Sequence, residues 1–195
     1  MLKFTIIAIL TFANAATAST EEDSKDPLLF IILAAKNRAF DQVQSIKMLA
    51  ATNVDKFIPR VNEMVEKARS DMETLKKEHI SANDASCNNA KTNIDDAALK
   101  TIAHFKSCVE KVTDAVDTDM NSLAFEGSLL TKEIHDTKTV NDELRRKVAD
   151  FDEKSFQFAK YLSKLEKCET QSNLPRLKRQ ISEILTSYKR CLQEK

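Results

Sequence analysis

The stretch Leu129–Cys168, LLTKEIHDTKTVNDELRRKVADFDEKSFQFAKYLSKLEKC, decides the fold. Leu144, Val148, Phe151, Phe158, Leu162 and Leu165 fall at alternating steps of three and four, with Ser155 at the one missing position. Leu130 and Ile134 carry the row backward, with polar Thr137 and Asn141 between. Such steps keep one face of an α-helix apolar. Lys132, Asp142, Glu143, Arg145, Arg146, Lys147, Asp152 and Lys164 fill the other faces. Read as one continuous helix, the stretch is about 60 Å long at ~1.5 Å per residue. A helix of this kind needs partner helices along its apolar face.

Composition extends that reading to the whole chain. There is one Gly in 195 residues and no Asn-Gly or Asp-Gly pair, whereas tight hairpins favour such residues. The expected fold is therefore all-α: an elongated antiparallel bundle of four to five long amphipathic helices forming a single domain over 19–195. Acidic and basic residues balance at 30 each, which argues against a polyanion-binding protein, so no nucleic-acid partner is expected.

Residues 1–18 read as a secretory signal peptide. Lys3 is followed by the largely apolar Phe4–Phe12, and Ala16-Thr17-Ala18 offers small residues for cleavage before Ser19. The apolar run is too short to span a bilayer, which takes about 20 residues. Localisation is therefore expected to be secreted and extracellular. All four cysteines, Cys87, Cys108, Cys168 and Cys191, lie beyond the signal. An even number in an oxidising compartment points to two disulfides.

Helix by helix, Asp26-Pro27 opens the first segment and Leu28–Ala35 is its apolar run, long enough for burial but not for a stable membrane span. A contact segment for a membrane, lipid or partner is the sharper reading of that run. Thr52-Asn53 reads as a turn or a helix cap. The next stripe, from Val54 to Leu75, is interrupted by Pro59, where the helix either kinks or starts. Ser81–Asp84 reads as a turn. The third helix spans about Ala85–Ala124, Gly127 fits a helix C-terminal cap, and Ser128 can cap the next. Gln171-Ser172-Asn173 breaks the fourth helix, and the fifth runs from Leu174 to the end.

These rulers bear on the disulfides. Three pairings are open from sequence. Cys87 and Cys108 lie about 31 Å apart along one helix at ~1.5 Å per residue, too far to bond. A hairpin about Gly127 brings Cys87 level with Cys168. A return of the fifth helix about Ser172 then moves Cys191 toward Cys108. The expected bridges are Cys87–Cys168 and Cys108–Cys191.

No catalytic pattern stands out. His79, His104 and His135 are scattered and lack His-Glu-x-x-His or Glu-x-x-His spacing. One Gly permits neither a phosphate loop nor a nucleophile elbow. The basic clusters Arg145-Arg146-Lys147 and Arg176-Leu177-Lys178-Arg179 read as solvated faces. No enzyme activity, cofactor or metal is expected.

The signal peptide and the four widely spaced cysteines on helical stripes resemble the insect secreted family that shares a domain with the tsetse EP protein. The resemblance covers roughly Ile80 to the C-terminus, and the Glu-Pro repeat tail is absent. It implies a secreted insect gut, salivary or haemolymph protein without assigned catalysis, and no functional residues carry over. The expected function is a secreted, non-enzymatic helical module that engages a protein partner or an amphiphile. The alternative is a carrier holding a lipid or small hydrophobe among its helices. Its candidate lining residues are Phe30, Ile31, Phe40, Phe57, Phe105, Phe151 and Phe158. Heptad regularity also allows a homodimer.

Overall fold

A computed structural model describes residues 25–79, 87, 89–170 and 173–193. The expected signal peptide and the Ser81–Asp84 turn lie outside them. The described elements are all helical: α1 (Asp26–Glu78), α2 (Asn89–Asp136), α3 (Asp142–Lys154), a 3₁₀ turn (Gln157–Ala159), α4 (Lys160–Thr170) and α5 (Asn173–Gln193). α3 to α5 run on in one direction, so the architecture is three long helical lengths rather than four or five helices.

α1 joins the first two expected helices. Thr52-Asn53 lies inside it, and so does Pro59. A proline within a helix costs about 3 kcal/mol. Burial of Phe57 and Val61 on either side offsets this. The Leu28–Ala35 run buries Leu28, Ile32 and Ala35 against the core, while Phe30 and Leu33 face solvent.

α2 runs through Gly127, which is buried mid-helix and caps nothing. A Cβ at this position would stand 2.7 Å from Phe151 Cζ. The glycine serves close approach of α3, and the turn comes later, between α2 and α3. There Thr137 donates to the Glu133 carbonyl at 2.7 Å. Asn141 caps α3 by accepting from the Leu144 amide at 2.8 Å, with Asp142 and Glu143 in the first turn. Both features suit a helix N-terminus. Lys25 Nζ also donates to the His135 carbonyl at the end of α2, at 3.0 Å.

Contacts between the lengths keep a steady register. α1 and α2 are antiparallel: Lys47 meets Asp117 at 2.6 Å, Phe57 stacks on Phe105 with centroids 3.9 Å apart, and Arg69 meets Asp95 at 2.9 Å. The third length is antiparallel to α2, with Lys147 on Glu133 at 2.7 Å and Lys160 on Asp119 at 2.8 Å. It runs parallel to α1, with Arg38 on Asp152 at 2.8 Å and Arg60 on Glu169 further along.

This register overturns the expected bridges. The disulfides are Cys87–Cys191 and Cys108–Cys168, with Cα atoms 6.0 and 5.7 Å apart. Moving a hairpin turn by one residue shifts facing residues by two. Displacement of the turn from Gly127 to near Thr139 therefore brings Cys168 level with Cys108 instead of Cys87. α5 then continues the direction of α4 rather than folding back, and carries Cys191 on to Cys87.

The break between α3 and α4 also resets the apolar row. Ser155 is fully buried; its hydroxyl accepts from Arg38 at 2.6 Å and donates to the Asp152 carbonyl at 2.6 Å. The Arg38 guanidinium lies 4.0 Å over the Phe156 ring. A 3₁₀ turn has three residues per turn instead of 3.6, so the phase slips after Phe158. Tyr161 then takes the core position, and Leu162 is left outside.

Candidate binding groove

The expected ligand-lining residues do not surround a shared cavity. Phe57 and Phe105 are stacked on each other in the core, Phe151 is seated against Gly127, and Phe158 is buried 6.4 Å from Tyr161. Ile31 packs partly against the core. Phe30 and Phe40 are 70% and 52% exposed and line no interior. These rings fill the interior among the described residues, and concave surface lies between helices.

A largely apolar concavity lies between α1 and α5. One part, of about 530 Å³, has Met64, Ala68 and Leu75 of α1 facing Ile181 and Leu185 of α5. It continues through Met64, Lys67 and Lys178 into a second part of about 780 Å³ that reaches Leu174 and Pro175. From Arg60 to Leu75 the groove follows α1 for about 22 Å at ~1.5 Å per residue. It exists because Ala68 and Ser182 are too small to fill the seam between two parallel helices. The thioether of Met64 suits an adaptable apolar wall.

The rim is mostly cationic along the first part, while the second adds Arg60, Glu63 and Glu169. Lys67, Lys178 and Lys189 border the first part, with Asp71 as its acidic lining residue. Among the described residues none of the three lysines lies within ion-pair distance of a carboxylate, whereas Arg60 is already held by Glu169. Lysine stems can cover apolar surface while the ammonium stays in water. An apolar floor under unpaired ammonium groups can hold a tail and an acidic head at once.

The sequence places Ala68 and Leu75 in the Val54–Leu75 stripe, Ile181 and Leu185 in the fifth helix, and Lys178 in a basic cluster. That reading missed that α1 and α5 lie side by side, because that depends on α5 continuing past α4. The second cluster is in fact divided: Leu177 is fully buried, Lys178 faces the groove, Arg179 reaches Glu183 at 4.0 Å, and Arg176 points toward α2. In the first cluster Lys147 is bound to Glu133 at 2.7 Å and Glu143 at 3.5 Å.

The Tyr161–Asp119 pair serves structure. Tyr161 donates to Asp119 Oδ2 at 2.7 Å and fastens α4 to α2. Burial, then the bond to Asp119, pushes the phenol up to about 12. The bonds from Lys160 and Tyr161 hold the Asp119 carboxyl below its usual range. A phenol kept protonated this firmly is a latch and not a base. Among the described residues, no three His, Cys, Asp or Glu side chains are grouped to hold a metal. No helix there is long and apolar enough to cross a membrane. No protein-family model, curated protein or solved structure matches the chain, so the groove is read from its own chemistry.

Proposed function

We propose that this is a secreted, non-catalytic binding module whose three helical lengths form an elongated bundle, and that it takes an anionic amphiphile into the groove between α1 and α5. The observation that carries this reading is the groove itself: an apolar floor bordered by three lysines that have no carboxylate partner among the described residues. A filled interior favours an outer seat over a tail enclosed among the helices. Two disulfides, and no membrane-crossing helix among the described residues, are compatible with export. The resemblance to secreted insect proteins is in keeping with the same compartment.

Palmitate titrated calorimetrically into delipidated full-length protein tests the reading. One saturable equivalent is expected, weakened at least tenfold by Lys178→Glu with Lys189→Glu, and lost with Leu185→Glu. Absence of saturable binding to the unsubstituted protein refutes it.

A second reading, engagement of a protein face, has its own observation. Phe30, Leu33, Phe40 and Met48 are exposed along α1 at spacings that keep them on one side of the helix. Sedimentation of the purified chain tests whether a second copy covers them; a monomer at high concentration excludes the homodimer.

A further inference from the structure

We infer that a second site, separate from the α1–α5 groove and independent of that reading, binds a tetrahedral oxyanion: the phosphate or sulfate group of a monoester. It lies on the opposite flank of α5, where α2, α4 and α5 meet around a concavity of about 310 Å³, at the small end of ligand pockets.

Four cationic or donor side chains from three helices border it: Lys100 and His104 from α2, Lys167 from α4 and Arg176 from α5. Its lining includes no carboxylate. Among the described residues, none of the four is ion-paired. Lys47, Arg60, Arg69, Lys147, Lys154 and Lys160 each have a carboxylate partner, whereas these four border one concavity whose lining has none. Like charges gathered without a counter-charge repel one another, and an anion relieves that repulsion. Arginine offers a planar fork, lysine a point charge, and imidazole at least one N–H donor or a lone pair that protonation converts to a donor.

The site is also held in place. Cys108 and Cys168 line it, and their disulfide fixes α2 against α4 there. Asn173 donates to the Cys168 carbonyl at 2.8 Å and ties the start of α5 to the same point. Donors on a cross-linked frame lose less freedom on binding.

The surroundings select a compact anion over a polyanion. The concavity shares Lys100 and Gln180 with its neighbour along the α2–α5 seam, and that neighbour carries Asp96 and Glu183. A nucleic-acid or polysaccharide backbone running along the seam would meet those carboxylates. A single terminal phosphate or sulfate would not.

The test is calorimetric titration of the full-length, doubly disulfide-bonded chain with inorganic phosphate and, separately, inorganic sulfate, with sodium chloride at matched ionic strength as control. One saturable site is expected. Arg176→Gln should weaken it about tenfold, the loss of one charge-assisted hydrogen bond. Lys100→Gln with Arg176→Gln should remove it, while Lys106→Gln on the same helix leaves it unchanged. Binding of phosphate alone assigns a phosphate monoester, and binding of both anions assigns the shared tetrahedral group. Equal heats from chloride, failure of both anions to saturate, or equal losses in Lys106→Gln and Arg176→Gln would overturn the site.

Discussion

Replacing Gly127 with alanine sets two effects against each other, and the structure decides the sign. Alanine in a helix interior is favoured over glycine by about 1 kcal/mol. Against this, the new Cβ would meet Phe151 Cζ at 2.7 Å, Phe151 Cε2 at 3.1 Å and Lys36 Cδ at 3.2 Å. Carbon atoms prefer ~3.5–4.0 Å, so the closest contact is about 1 Å too short. The lysine stem can move aside. The Phe151 ring is fully buried and has little room to do so. Overpacking of this kind costs about 1–3 kcal/mol, and the net expectation is a loss of roughly 1 kcal/mol or more. Urea unfolding of the oxidised protein measures it. Phe151→Leu shortens the offending ring and should rescue the alanine, so that the double variant is more stable than the sum of the singles by about 1 kcal/mol. A glycine needed only for a turn would show no such rescue. If Gly127→Ala alone stabilises the protein, the close seating of Phe151 on α2 is wrong.

Pro59→Ala should stabilise by about 2 kcal/mol, since proline inside a helix costs about 3 and stiffens the unfolded chain by under ~1; a higher urea midpoint checks this. Cys108→Ala with Cys168→Ala opens a bridge of sequence separation 60 and should cost about 4 kcal/mol on the loop-entropy account, while non-reducing peptide mapping of the parent should recover Cys87–Cys191 and Cys108–Cys168. Tyr161 is an acid whose folded value, about 12, is raised from 10.0, so the protonated phenol favours the fold. Its contribution is complete below pH 10 and declines as pH rises toward 12. Tyr161→Phe should remove that part of the alkaline loss, and urea midpoints at pH 9 and pH 11 compare the two proteins.

Much of the fold was legible from the apolar rows and the near absence of glycine. The helical class, the last helix starting near Leu174 and the use of all four cysteines in disulfides followed from periodicity and parity. The turns did not. Gly127 drew attention as the lone glycine, yet a buried glycine can serve close packing as readily as a turn. The better signal was Asn141-Asp142-Glu143, a capping residue followed by acidic residues in a first helical turn. Misplacing that one turn was enough to exchange both disulfide partners. Tyr161 was missed because a constant 3.6-residue period takes no account of a 3₁₀ turn. The groove between α1 and α5 was hidden for a related reason: its walls are more than 100 residues apart, and their adjacency depends on register. Its lysines carried no distinguishing mark in sequence, since a partnerless charge is defined only by what surrounds it.

The placement of the two disulfides has a mechanical consequence. Cys108 in α2 and Cys87 just ahead of it are both tied to the third length, and α1 has no cysteine. α2 and the third length are therefore riveted at two heights, while α1 is held against them by side-chain packing, hydrogen bonds and ion pairs alone. One wall of the α1–α5 groove is fixed and the other can be prised away without breaking a covalent bond. Amides of α1 should accordingly exchange with solvent as one cooperative unit ahead of the riveted pair, and a tail too broad for the resting groove can be admitted by displacing α1 alone.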